Sequence, residues 1–151
     1  MPHLPSIRFL LGLTVICASV LAFAHGEDKP GPHKGYIRMP GAYHTEVVEL
    51  GPRRLRVYLL DIKWANPSVK NSSLELIYEP AHEPRQSSWV QAKCTIEKNS
   101  YLCEFPETVD LTHKGRLRVK SQRQEQKGNE VQYSLPFSLE APAPAKHGGH
   151  H

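Results

Sequence analysis

The chain contains no GxGxxG, P-loop, HExxH or GxSxG run. The nucleotide, zinc-protease and nucleophile-elbow chemistries that need those spacings are without their motifs. No internal repeat is present, so a solenoid or propeller is excluded. Strong charge of one sign is also missing. The formal charge is +4, and it falls to +3 without Arg8 (18 Lys+Arg against 15 Asp+Glu). An excess that small and dispersed does not mark a nucleic-acid surface. At 151 residues the chain makes one domain and cannot hold a Rossmann pair or a TIM barrel. No segment carries a helical apolar stripe.

Only one long apolar run occurs, over residues 9–23, and it is too short for a membrane span. Arg8 precedes it, and Ala22-Phe23-Ala24 closes it with the small-x-small pattern of a signal-peptidase site. The next residues, His25-Gly26-Glu27-Asp28-Lys29-Pro30, are polar at once. Residues 1–24 therefore read as a cleaved signal peptide, and the mature chain as periplasmic or secreted. Cys17 leaves with the signal.

Two cysteines remain, Cys94 and Cys103. A two-residue hairpin loop at Lys98-Asn99 sets Glu97 opposite Ser100, Ile96 opposite Tyr101, Thr95 opposite Leu102 and Cys94 opposite Cys103. The cysteines then form a non-hydrogen-bonded pair, with Cα atoms about 4.5 Å apart, inside disulfide range. Ala92, Cys94, Ile96, Tyr101, Cys103 and Phe105 share the apolar face of this hairpin. A structural disulfide fits the exported compartment. Its rival, a thiolate metal site, needs reduced sulfur.

Short segments separated by Gly, Pro and Asn cover the rest. Strands are expected over residues 43–50, 55–62, 73–79, 89–96, 100–105, 115–122 and 130–139. Val131, Tyr133, Leu135, Phe137 and Leu139 alternate as an inward set. Seven such strands predict an all-β, immunoglobulin-like antiparallel sandwich, with an open barrel as the alternative. The domain division is 1–24 signal, 25–42 Gly/Pro/His-rich segment, 43–139 sandwich, and 140–151 Ala/Pro spacer with a His-rich tail. Arg116, Arg118 and Lys120 make a basic strand face, followed by Arg123. It reads as a solvated surface before it reads as an anion or partner patch. Trp64 and Trp89 read as core or sheet-edge aromatics.

Histidine is concentrated at the two ends of the mature chain. His25, His33 and His44 lie within its first twenty residues, and His147, His150 and His151 within its last five. His82 and His113 are loop residues without an assigned role. Cleavage after Ala24 would give His25 a free α-amine. Amine and ring nitrogen together chelate one metal, and a further imidazole completes the three-nitrogen brace suited to Cu(II). His44 and Glu46 are two apart on a strand and point the same way, so they are expected to offer nitrogen and oxygen to one ion. His33 sits in a Gly/Pro-rich run that could fold over that strand, and Met39 adds a thioether suited to Cu(I). The tail histidines are a weaker, flexible auxiliary site. Imidazole ligands must be neutral to bind, so affinity is expected to fall as pH drops through about 6.5.

Gly31-Pro32-His33-Lys34-Gly35, then Gly41-Ala42-Tyr43-His44-Thr45-Glu46-Val47-Val48, then Leu55-Arg56-Val57-Tyr58-Leu59-Leu60-Asp61 is similar to a recurrent exported module of Gram-negative heavy-metal efflux systems. The usual run looks like Pro-His-Gly-Gly, then Tyr-His-x-Glu-Leu-Val, then a strand ending in Asp. The resemblance implies a small β-sandwich that handles copper or related ions, beside a membrane-fusion adaptor or another periplasmic protein. It covers residues 31–61. Lys34 replaces the first Gly after the His, and Asn66-Pro67 stands where the usual Asp-Gly-Lys-Pro turn is missing. A looser likeness to CopC-type copper carriers rests on the mature N-terminal His and the sandwich alone.

Three functions follow as expectations. The first is an exported metal-binding protein acting as carrier, buffer or efflux accessory, with copper as the ion and Zn, Ni or Co as alternatives. Its site is His25, His33 and His44, with Glu46 and Met39 as auxiliaries. The second is a secreted sandwich that docks a partner without metal. The third is a copper-dependent oxidase. No general base or substrate platform is legible for it, so the reading is a non-enzyme.

Overall fold

The computed structural model describes residues 27–82 and 88–139. Every regular element among them is a β-strand. In chain order these are β1 (Tyr36–Arg38), β2 (His44–Gly51), β3 (Arg54–Leu60), β4 (Ser73–Pro80), β5 (Val90–Gln91), β6 (Lys93–Glu97), β7 (Ser100–Glu104), β8 (Gly115–Arg123), β9 (Gln126–Lys127) and β10 (Val131–Leu135). One sheet runs β1-β2-β3-β7-β6. The other runs β10-β8-β4-β5, with β9 paired to β8. Every pairing is antiparallel.

Set aside the short strands β1, β5 and β9, and the remaining orders are β2-β3-β7-β6 and β10-β8-β4. Lettered along the chain, these are the ABED and GFC sheets of a seven-stranded immunoglobulin-type sandwich. All seven expected strands are present, with three differences. The 89–96 segment breaks at Ala92. Before the break it pairs with β4 in one sheet, and after it with β7 in the other. The Ala92 amide bridges the switch by donating to the Leu76 carbonyl at 3.0 Å. The last strand stops at Leu135, before a cis peptide bond to Pro136. Phe137 still packs on the core, but Leu139 is exposed, contrary to the expected inward set. Finally, β1 lies inside the 25–42 segment, so the sandwich begins earlier than residue 43.

The Cys94/Cys103 hairpin adopts the expected register in full, through Thr95↔Leu102, Ile96↔Tyr101 and Glu97↔Ser100. The two cysteines are disulfide-bonded, with Cα atoms 4.0 Å apart. Cys103 joins the inter-sheet core with Tyr43, Val47, Leu55, Val57, Leu59, Leu76, Leu117, Val119 and Tyr133. Two of the buried hydroxyls there find partners, as desolvated polar groups usually do, while the Tyr101 hydroxyl has none among the described residues. Tyr43 pairs with Ser121 Oγ at 2.7 Å, and Tyr133 with Thr45 Oγ1 at 2.8 Å. Burial pushes both phenols up from their ordinary value.

The basic strand face on β8 is neutralised by its flanking strands. Arg116 lies 3.5 Å from Glu79, and Lys120 lies 3.5 Å from Glu75. Arg118 forks both carboxylate oxygens of Glu130 at 2.8 Å and lies over the Trp89 ring, 4.2 Å from its centre. Arg123 is not on this face. It is buried and donates to the Leu59 and Asn66 carbonyls. The Arg118 hydrogen bonds hold the Glu130 carboxyl below its ordinary 4.5. A carboxyl depressed in the folded state adds stability above its unfolded value and loses it as pH falls through the folded one. Urea unfolding across the acid range is therefore expected to show a flatter pH profile for Glu130→Gln below about pH 4.5. An unchanged profile would remove this pair from the acid response.

Candidate functional site

The outer face of the first sheet carries the residues singled out in the sequence. Strand alternation puts His44 and Glu46 there together, as expected. Opposite them across the ladder stand Leu60 and Tyr58 on β3, and Ile37 on β1 faces Glu46. Ile37, His44, Glu46 and Leu60 are all buried, although this side of the sheet faces away from the inter-sheet core. The turn after β3 covers His44, and the loop entering β1 lies on Glu46 and Ile37.

Pro32 and two glycines shape that loop. The Gly31 carbonyl accepts from the Lys34 amide at 2.9 Å, closing a β-turn with Pro32 at its second position. Lys34 sits at φ 65°, in the left-handed region that glycine occupies without steric cost. Gly31 lies directly on Glu46: a Cβ added to it would meet Glu46 Oε1 at 2.4 Å and Ile37 Cδ1 at 2.7 Å.

The Glu46 carboxylate organises this loop. Oε1 accepts the backbone amides of His33 at 2.7 Å and Gly35 at 3.0 Å. Oε2 lies 2.7 Å from His33 Nδ1. Its side chain is fully buried, so these three donors replace its water. A carboxylate accepts, so Nδ1 carries a hydrogen, and the neutral form of the ring is the tautomer with its lone pair on Nε2. The His33 ring also stacks on Tyr58, with centres 3.7 Å apart and planes within 5°. The imidazole is thus fixed in tautomer and plane, and its side chain is 36% exposed. Nε2 points away from the carboxylate and has no hydrogen-bond partner among the described residues.

His44 is placed differently. Its Nδ1 lies 3.1 Å from the Asp61 carbonyl, which can only accept. The Trp64 indole N–H donates to Nε2 at 3.2 Å. The ring is therefore neutral, with both nitrogens in use. Trp64 stands at φ 61° in the turn after β3. Asp61 braces that turn: its side chain accepts the Lys63 and Ala65 amides and the Asn66 amide group. The Ala65 amide, then the Asn66 side chain, hold the Asp61 carboxyl below its ordinary range.

The sequence reading expects His44 and Glu46 to offer nitrogen and oxygen to one ion. They do share a face, but His44 is closed by Trp64 and Asp61, and Glu46 is spent on the loop. Met39 lies beyond β1, its amide 3.4 Å from Glu27 Oε1, and it is exposed. Among the described residues no three His, Cys, Asp or Glu side chains are grouped to hold a metal. His25, His147, His150 and His151 lie outside the described residues. Two roles escaped the sequence reading: Trp64 as the cap on His44, and Tyr58 as the platform for His33. The available signal was an acid in the strand segment Tyr43 to Val48, between Thr45 and Val47, because a buried carboxylate demands donors.

Beside Tyr58 lies a cleft of about 270 Å³, lined by Arg56, Tyr58, Glu97, Lys98, Asn99 and Ser100. Arg56 and Glu97 form an ion pair within it. No protein-family model matches the chain, and comparison with curated proteins and with solved structures finds no match either.

Proposed function

We propose that this protein is an exported copper-binding carrier or buffer, without catalytic activity, whose anchor ligand in the folded domain is His33. One observation carries the reading: the buried Glu46 holds His33 Nδ1 at 2.7 Å, which selects Nε2 as the nitrogen a neutral ring offers on its half-open side. A carboxylate behind an imidazole is the common outer-shell arrangement of histidine metal ligands, and it raises ligand basicity. Imidazole suits copper and zinc alike, and the amine and ring of His25 would favour Cu(II). On this reading His25 supplies the remaining nitrogens and the tail histidines collect metal loosely. An efflux membrane-fusion adaptor or another periplasmic protein is the recipient. The disulfide supports an oxidising compartment.

The test uses secreted, tag-free protein with its N-terminus confirmed by intact mass. Cu(II) is titrated and followed by electron paramagnetic resonance. The expected result is one nitrogen-rich site that survives truncation after Leu139 and weakens at least about tenfold in His33→Ala. Binding that vanishes with the tail, or that ignores His33→Ala, would overturn the proposal.

A further inference from the structure

Strand β6 ends its sheet, and among the described residues nothing pairs with its outer edge. Its sequence is Lys93-Cys94-Thr95-Ile96-Glu97. Ile96 is 61% exposed, the largest exposure among the large hydrophobic side chains of the described residues. The hairpin register decides which backbone groups face the open edge. Glu97↔Ser100 closes the two-residue loop and is a hydrogen-bonded pair, so Lys93, Thr95 and Glu97 turn their N–H and C=O groups toward β7. Cys94 and Ile96 turn theirs outward.

We propose that the mature chain forms a two-fold dimer by antiparallel pairing of β6 with β6 of a second copy, centred on Thr95. A two-fold axis normal to the sheet places like faces together, so residues facing each other must have the same parity. Centring on Thr95 sets Cys94 opposite Ile96 of the other copy, twice. These are the residues whose polar groups face outward, so they exchange four backbone hydrogen bonds. The same register sets Lys93 opposite Glu97 of the other copy, also twice. Those are non-hydrogen-bonded pairs, where side chains stand closest and opposite charges couple best. Centring on Cys94 or Ile96 instead puts Thr95 against a charged residue and loses both ion pairs. Lys93 thus discourages generic edge pairing while matching its own antiparallel copy. The disulfide fastens β6 to β7, which keeps the edge extended and its register fixed. Pairing also covers Ile96. The product is one continuous ten-stranded sheet across two sandwiches.

Sedimentation velocity on the disulfide-bonded mature chain tests this, in chelator so that metal plays no part. The wild type is expected to show a dimer fraction that rises with concentration up to about 1 mM, the scale of weak association. Lys93→Glu and Glu97→Lys each set like charges opposite one another, and each is expected to weaken the dimer about tenfold. Mixing the two variants one to one restores both ion pairs and is expected to return the dimer. Circular dichroism confirms that each variant is folded. A wild type that stays monomeric, single variants that dimerise normally, or a mixture that stays monomeric would each overturn the proposal.

Discussion

Glu46→Ala is expected to destabilise the domain by about 2–4 kcal/mol, lowering Tm by roughly 10–20 °C, while Glu46→Gln costs about 1 kcal/mol or less. The alanine removes the acceptor for two backbone amides and a ring N–H at once. The 31–35 loop then loses its carboxylate anchor, and Ile37, on which Gly31 lies, loses its cover. Glutamine keeps an oxygen for the His33 and Gly35 amides. Its amide nitrogen replaces Oε2, and it donates where the carboxylate accepted. His33 Nδ1 must then become the acceptor, and the ring hydrogen moves to Nε2. That tautomer has no lone pair on the open side. The proposed site therefore predicts a split: Glu46→Gln melts close to wild type yet binds Cu(II) about 10–100-fold more weakly. Thermal unfolding reads the first effect, copper titration the second, and long-range ¹⁵N correlation spectra of the ring report the tautomer. Wild-type copper affinity in a folded Glu46→Gln chain would show that Glu46 serves the loop alone.

The strands were legible because alternation and turn residues are local signals. The Cys94/Cys103 register was legible because loop length sets hairpin pairing. The break at Ala92 was not, since the apolar pattern runs through it unchanged while the partner strand switches from β4 to β7. The site was half legible. Alternation told which face His44 and Glu46 share, but not what lies on that face. The cover comes from outside β2: the loop bearing His33 and the turn bearing Trp64. Both turns depend on non-glycine residues at positive φ, Lys34 and Trp64, which turn statistics do not single out. His33, Gly35 and Glu46 are one hydrogen-bonded unit, and His44 with Asp61 is a second unit beside it.

Removing the disulfide, as Cys94→Ala with Cys103→Ala, is expected to cost about 2–3 kcal/mol and roughly 10–15 °C in Tm. The bond closes a loop between residues 9 apart in sequence, and the chain-entropy relation gives about 2.6 kcal/mol for a loop of that size. Cys103 is fully buried against the inter-sheet core, so its truncation adds a small packing loss. The hairpin is an edge, held on one side only by β3–β7 pairing. Its opening is therefore expected to precede global unfolding, with amide exchange rising first at Thr95 and Glu97. Urea unfolding with and without reductant measures the same loss in the wild-type chain, and coincident curves would refute it. Combining this change with Glu46→Ala gives a sharper test. Cys103 pairs with Leu55 and Glu46 with Tyr58, so three residues along β3, about 10 Å, and further strands separate the two sites. At that distance the two losses are expected to add within about 0.5 kcal/mol. A larger coupling would mean that the loop over Glu46 and the disulfide hairpin communicate through Tyr58, Arg56 and Glu97, the residues that line the cleft between them.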